Sequence, residues 1–247
     1  FSPRPEIFDS ELETKLQRDA QDGDAGLVEY LKFALAQGLS VLVSGSTSTG
    51  KTALLNLLIS FLPSHVRVIC CEDTKELQIP TANHVRLLED RQNQVGLRQL
   101  IEFTLRLRPD AIIAGEVRGS EAADLIAALN TGHFGMGSLH ANSARDALTR
   151  VETMMRRADG GSPIDAIQRE IATGVQLLVH IDASRDPASG KRSRFAHEVL
   201  RVRGMENGRY LLETVYNAHQ SRVNQRKLHP VHPHRFLPSG EPNAIHA

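Results

Sequence analysis

Several things are scarce in this chain. It has no tryptophan and only two cysteines, and its charges cancel, with 29 Lys and Arg against 29 Asp and Glu in 247 residues. Without a net positive field, a protein that holds nucleic acid or an anionic membrane by global charge is excluded. A local basic groove is not, so nucleic acid stays open as a partner without being indicated. A long apolar run is missing as well. The longest, Ala53 to Leu62, contains Asn56 and has about half the length a membrane-crossing helix needs, so no direct membrane span is expected. No charged-then-apolar leader follows Phe1, so no signal peptide is expected, and a first residue other than Met leaves upstream sequence open. Cys70 and Cys71 are adjacent, where a disulfide would be strained and would close no loop. A reducing cytosol is the natural compartment.

What is present is a 40% hydrophobic composition, typical of a globular protein able to bury about 70% of its surface. Charge is unevenly spread. Between Phe1 and Asp24, Glu6, Asp9, Glu11, Glu13, Asp19, Asp22 and Asp24 outnumber Arg4, Lys15 and Arg18. Residues 1–24 therefore read as a solvated face, an acidic linker or the end of a preceding domain. From Asn217 onward, five of the eleven histidines and several prolines carry no helical or strand period, so 217–247 reads as a His/Pro-rich tail, mobile or wrapped over the surface. His229, His232 and His234 alternate with Pro230 and Pro233, which gives a metal no fixed geometry.

Between these ends, strand and helix signals alternate as in parallel βαβ units. Leu27, Leu31 and Ala34 share a helix face that stops at Gly38, and Ser40 to Val43 is a buried strand. A helix runs from Lys51 to Leu62 and ends before Pro63. Val66 to Cys71 and Ala111 to Ala114 are short apolar strands closed by acids, the pattern of central strands whose carboxyl ends face a ligand. Ser143 and Asp146 cap a helix with Leu148, Val151 and Met155 on one face. Ser162, Pro163 and Asp165 open the next, with Ile164, Ile167 and Ile171 buried and Gly174 as its stop. Val175 to Ile181, Phe195 to Val202 and the runs flanking Asn207-Gly208 read as strands, the last pair as a hairpin. The fold expected is α/β, with a mostly parallel central sheet, helices on both faces and a small C-terminal β portion.

The strongest chemical signal is Gly45-Ser46-Thr47-Ser48-Thr49-Gly50-Lys51-Thr52, a match to G-x-x-x-x-G-K-[ST] placed directly after a strand and directly opening a helix. Successive backbone N–H groups, continued through Ala53, surround phosphates with donors and with the positive end of the helix dipole. Lys51 adds a point charge, and the Thr52 hydroxyl can ligate Mg2+. Glu116 follows the strand at Ala111 to Ala114, and Glu72-Asp73 closes the strand ending at Cys71. Either acid could orient water or hold a metal shell, or could simply cap its strand. Gly135-Met136-Gly137-Ser138-Leu139-His140 begins like a dinucleotide fingerprint, but His140 stands where the third glycine belongs.

Four stretches together resemble the secretion or traffic ATPase superfamily of type II and type IV secretion, conjugation and pilus assembly. They are Gly45 to Thr52; Glu72-Asp73-Thr74-Lys75-Glu76-Leu77; Leu105 to Asp110 leading to Gly115-Glu116-Val117-Arg118-Gly119; and Thr131-Gly132-His133 through His140-Ala141-Asn142. Asn83 to Leu88 after the acidic box is most similar to the type IV secretion and conjugation branch. The resemblance implies a RecA-like P-loop NTPase core over residues 25–216 that uses ATP and Mg2+. It further implies a homo-hexameric ring, cytoplasmic and peripheral at the inner face of the cytoplasmic membrane, working with secretion or conjugation machinery. Glu116, Glu72, Lys51 and His140 are then the catalytic candidates, and Thr52 and Glu116 the metal ligands. His140 would sense the γ-phosphate. Arg91, Arg106, Arg108 and Arg118 are candidates to reach a nucleotide, and motif position does not choose among them.

Two departures stand out. Most relatives have glycine where this chain has Ser48, and the family usually carries an N-terminal domain for which there is no room ahead of Ser40. The chain is then a fragment, or it borrows that function elsewhere. Two other functions fit the same motifs. One is a ring translocase or helicase acting directly on nucleic acid, and the other is a nucleotide-binding regulatory partner with little turnover.

Overall fold

A computed structural model describes residues 8–187 and 189–221, apart from the side chain at position 159. The chain alternates helix and strand: α1 (Ser10–Asp22), α2 (Asp24–Ala36), β1 (Val41–Ser44), α3 (Lys51–Ser60), β2 (Val68–Glu72), β3 (His84–Leu88), α4 (Leu97–Thr104), β4 (Ala111–Ala114), α5 (Glu121–Asn130), β5 (Phe134–Leu139), α6 (Ala144–Asp159), α7 (Ile164–Gly174), β6 (Leu177–Arg185), β7 (Arg192–Glu206) and β8 (Arg209–Asn217). A single 3-10 turn, Leu105–Leu107, links α4 to β4. The strands form one sheet in the order β3-β2-β4-β5-β1-β6-β7-β8. Pairing is parallel from β3 to β6 and antiparallel from β6 to β8. The expected C-terminal β portion thus continues the main sheet.

Alternation along the strands divides the interior into two layers. Val41, Val43, Val68, Ile113 and Val179 pack with Leu31, Leu55 and Ile59 of α2 and α3. Leu42, Ile112, Leu139, Leu178 and Leu200 pack with α4 to α7 through Ile101, Leu125, Val151 and Ile171. Being covered on both faces is why the central strands are apolar without a polar alternate, as the expected buried strands require. β5 is fully buried although it contains Gly135 and Gly137, and its small residues had given no strand signal. Ser143 caps α6 by accepting from Asp146 N at 3.0 Å, and Asn207 and Gly208 both adopt positive φ in the β7–β8 turn.

Two expectations are corrected. Ile164 is 42% exposed, because it starts α7 one turn short of Ile167 and Ile171, which are the residues that reach the core. The acidic start is not linker throughout: Ser10–Asp22 is a helix whose Glu13, Gln17 and Ala20 are buried. The carboxylate of Glu13, 1% exposed, accepts from Arg201 Nε at 2.9 Å, from Arg203 Nη1 at 2.7 Å and from Tyr30 Oη at 3.2 Å. It pins α1 to α2 and the middle of β7. The rest of the charge on α1 remains a solvated face. The tail expected over 217–247 begins with the end of β8 and a short helical turn to Ser221; His229, His232 and His234 lie outside the described residues.

Burial works to raise the Glu13 pKa, but hydrogen bonds and charge from Arg203 and Arg201 outweigh it and leave the group below the usual carboxylate value. A depressed folded-state pKa contributes stability above the unfolded value, near 4.3, and loses it as pH falls through the folded one. Glu13→Gln should therefore lower the unfolding free energy at pH 7 by about 3 kcal/mol, since it takes the carboxylate from the buried Arg201 guanidinium and leaves Arg203 only its pair with Glu213. In urea titrations the gap between wild type and variant should shrink below about pH 4. A gap that persists at pH 2 would refute this account.

Candidate functional site

Four parallel strands end on one side of the sheet, and the residues singled out by sequence follow them. β1 leads into the loop Gly45 to Gly50, β2 ends in Glu72, β4 is followed by Glu116 and β5 by His140. The loop is a tight concave turn. Thr49 donates its backbone N–H and hydroxyl to Ser46 O, at 3.4 and 2.9 Å. A Cβ at Gly45 would stand 2.6 Å from both Ile181 O and Thr49 Oγ1, so no side chain fits there. Gly50 caps α3 at φ 101°, while Ser48 also sits in the left-handed region at φ 61°. Glycine bears that conformation freely, whereas for serine it costs roughly 1 kcal/mol.

Lys51, 8% exposed, folds its ammonium back into this turn and donates to Gly45 O and Ser46 O, each at 3.2 Å. Its Nζ also lies 3.3 Å from His140 Nδ1. An ammonium can only donate, so a neutral His140 accepts at Nδ1 and carries its proton on Nε2. That Nε2 is 2.8 Å from Glu116 Oε1. The imidazole thus connects the cation to the carboxylate. Burial lowers the Lys51 pKa and the charge of Arg118 adds to that, against the opposing pull of Glu116. For Glu116, burial works upward, but the Arg118 hydrogen bond and the charges of Arg118 and Lys51 hold it below the usual range. Arg118 donates to Glu116 Oε2 at 2.5 Å and reaches Asp73 Oδ2 at 3.5 Å. The contact with Glu116 raises its own pKa.

Glu72 and Glu116 do not share one environment. Glu72 is 1% exposed, and both its oxygens are engaged: Oε1 accepts from Glu76 N at 2.9 Å and Leu77 N at 2.7 Å, and Oε2 pairs with Arg86 of β3. It holds the loop after β2 against the sheet edge. Glu76, which nothing in the motif marks out, is the carboxylate that meets the first turn of α3, accepting from Thr52 Oγ1 at 3.2 Å. Nothing in the spacing distinguishes these two glutamates; only the turn that Glu72 holds does. Thr52, Asp73, Glu76, Glu116 and Arg118 line one small cleft. Among the described residues no cluster of three His, Cys, Asp or Glu side chains is arranged to cage a metal. One hydroxyl with one or two carboxylates does suit Mg2+, a hard cation that keeps most of its shell as water and phosphate oxygens.

The four candidate arginines are spread apart. Only Arg118 is at the cleft. Arg91, exposed, lies in the turn after β3. Arg106 and Arg108, also exposed, precede β4 and so lie at the amino end of the parallel strands, opposite the loop. One further arginine had no sequence signal: Arg194 of β7 packs against Gly50.

The description "Type II/IV secretion system protein" matches residues 11–226. A protein of Mycobacterium tuberculosis named for conjugal transfer is 40% identical over 186 residues, 73% of this chain and 51% of the relative. The conjugal transfer protein TrbB of Rhizobium radiobacter is 33% identical over 210 residues, 83% of this chain and 59% of its own. This chain therefore spans about half the length of the curated relatives it matches. The VirB11 ATPase from the Brucella suis type IV secretion system, solved in complex with sulphate, superposes with a TM-score of 0.69 at 26% identity, covering 89% of this chain and 59% of that one. The pilus retraction motor PilT with bound ADP shares the fold, at TM-score 0.56 and 18% identity over 91% of this chain and 58% of that one.

If Glu72 is the strut of the loop after β2, Glu72→Gln should cost about 2 kcal/mol of stability, because hydrogen bonds to a charged acceptor are lost and Arg86 is left unpaired. Chemical denaturation of the two proteins checks this. An unchanged midpoint would show that the strut is dispensable.

Proposed function

The chain belongs to the type II/IV secretion system protein family, and from that premise we propose that residues 25–216 are the motor of a Mg2+-dependent ATPase that works as a homo-hexameric ring in type IV secretion or conjugation. The observation that carries the reading is the Lys51 ammonium held inside a strand–loop–helix turn and joined through His140 to Glu116. Such a turn offers backbone donors and a helix amino end to phosphates, and Lys51 exchanges its two carbonyl contacts for phosphate oxygens. Gly45 to Ala53 form the cradle.

Thr52, Glu116 and Glu76 are the groups that would hold Mg2+, which when bound neutralises phosphate charge. Glu116 stays ionised near neutral pH and can orient a water and take its proton. His140 touches both the cation and the acid, so a change at the phosphates is felt at the end of β5. Glu72 keeps the loop bearing Asp73 and Glu76 in place. Arg118 acts within the subunit. Arg106 and Arg108, at the opposite end of β4, would meet a nucleotide only on a neighbouring copy of a ring; Arg91 is the remaining candidate. The ring's partners are secretion or conjugation machinery at the inner face of the cytoplasmic membrane. Among the described residues no helix is long and apolar enough to cross it.

Lys51→Ala should abolish ATP turnover and most MgATP affinity while leaving the unfolding curve unchanged. Wild-type hydrolysis by the purified variant would end the reading. Glu116→Gln should retain ATP binding and slow hydrolysis by about a hundredfold or more. Activity per subunit should rise with protein concentration as particles of six-chain mass form, and full activity from particles of monomer mass would remove the ring.

A further inference from the structure

β7 carries one residue too many, and the consequence reaches the loop of the candidate site. Against β6, the register runs Val179↔Val199 and His180↔Glu198, then jumps to Ile181↔Ala196, which leaves His197 as the extra residue of a β-bulge. Side chains alternate across a strand, so one inserted residue exchanges the faces of everything beyond it. Before the bulge, Val199 faces α2 and α3 while Leu200 faces α5 to α7. Beyond it, Ala196 faces α2 and α3. Arg194 and Arg192 follow Ala196 at period two, so they fall on the face where α3 begins. With no bulge they would have followed Leu200 and Glu198 onto the far side.

The contact is direct. A Cβ built on Gly50 would meet Arg194 Cδ at 2.8 Å and Nε at 3.5 Å. Gly50 is favoured by its φ of 101°, and the space that a side chain there would take is crossed by this arginine. Ile181, Ala183 and Arg185 present the same face from β6, and Arg185 is held by the carbonyl of Gly190 at 3.0 Å. Asp182 belongs to the other face, with Oδ1 engaged by Ala183 N at 2.7 Å. Among the described residues Arg194 is exposed and has no ion-pair partner. A guanidinium is thus brought to the rim of a phosphate-type cradle, its donors facing solvent and not claimed by any of the described residues. The antiparallel strand that carries it lies between β6 and β8, one strand removed from β1.

We propose that Arg194 is a second cationic ligand, contributed by the same subunit, for the phosphates of a nucleotide held by the loop Gly45 to Thr52. The proposal rests on the nucleotide-binding reading above and names a residue from outside the four motifs that carry the resemblance. Lys51 approaches the phosphates from inside the turn, and Arg194 closes over the turn's outer lip at Gly50. Arginine suits this position because its planar fork can bind two oxygens of one phosphate or bridge two phosphates.

The test uses the chain as it stands, with MgADP and inorganic pyrophosphate as probes in calorimetric titrations. Arg194→Ala should weaken MgADP by about tenfold, the scale of one charge-assisted hydrogen bond, and should weaken pyrophosphate equally, since the contact is to phosphate. The dependence of affinity on salt should become shallower in the variant, a change that loss of a merely structural arginine would not produce. Arg194→Lys should recover part of the loss. Arg209→Ala, which removes the same charge from the distant β7–β8 turn, should change nothing. If wild type binds MgADP and Arg194→Ala binds it as well, the assignment of Arg194 is wrong and the nucleotide reading stands. A loss seen with MgADP and not with pyrophosphate would also overturn it, by moving the contact to the nucleoside. Failure of wild type to bind MgADP would overturn the nucleotide reading itself and this inference with it.

Discussion

Keeping an ammonium ion out of water is the constraint that organises the site. Lys51 is almost fully buried, and taking a lysine charge from solvent costs several kcal/mol unless partners replace the water. The partners come from three directions. Two carbonyls belong to the loop itself, the His140 ring stands at the end of β5, and the charge of Glu116 stands at the end of β4. β1, β5 and β4 are consecutive parallel neighbours in the sheet, so their carboxyl ends deliver these groups within hydrogen-bond reach of one another. β1 is bonded along both edges, to β5 and β6, over its whole length. Four residues suffice to anchor the loop because neither edge of that strand is free.

A division of labour follows between the two sides of the cleft. On the β1 side the backbone is packed and hydrogen-bonded. On the other side the loop after β2 hangs from one buried carboxylate, Glu72, which collects two amides and the Arg86 guanidinium. From that fixed point Asp73 and Glu76 project into the cleft, toward Arg118 and Thr52. α1 is attached by the same device, with Glu13 as the buried collector and Arg201 and Arg203 as the arms.

What the sequence disclosed and what it hid follow from the range of the interactions involved. Strand, loop and helix around Lys51 are local, as are the cap at Ser143, the turn at Asn207 and the apolar runs of β2 and β4, and each was legible in a short window. Glu13 was not, because its counter-ions lie nearly two hundred positions away and an acidic helix face looks the same whether one of its acids is buried or none is. Glu72 and Glu76 were not separable, because only the bend between them decides which carboxylate points to the sheet edge. Ile164 kept the right period but overhangs the layer it was expected to enter. β5 hid its strand behind glycines that let it pass close to Ile112, where a Cβ on Gly135 would stand 2.3 Å from a carbonyl oxygen. Arg194 was out of reach for a different reason, since a period of two gives the wrong face when an uncounted residue interrupts it.

The insertion at His197 also bears on how chains of this kind are compared. Two sequences can be aligned column by column along β7 only if both carry the extra residue. In a chain without it, the column holding Arg194 would face α5 to α7, and a substitution there would say nothing about the loop at Gly50. The equivalent of Arg194 would then be sought one position along, opposite the same residue of β6, Ala183. Equivalence in this part of the fold is a property of the partner strand and not of the distance from the nearest motif.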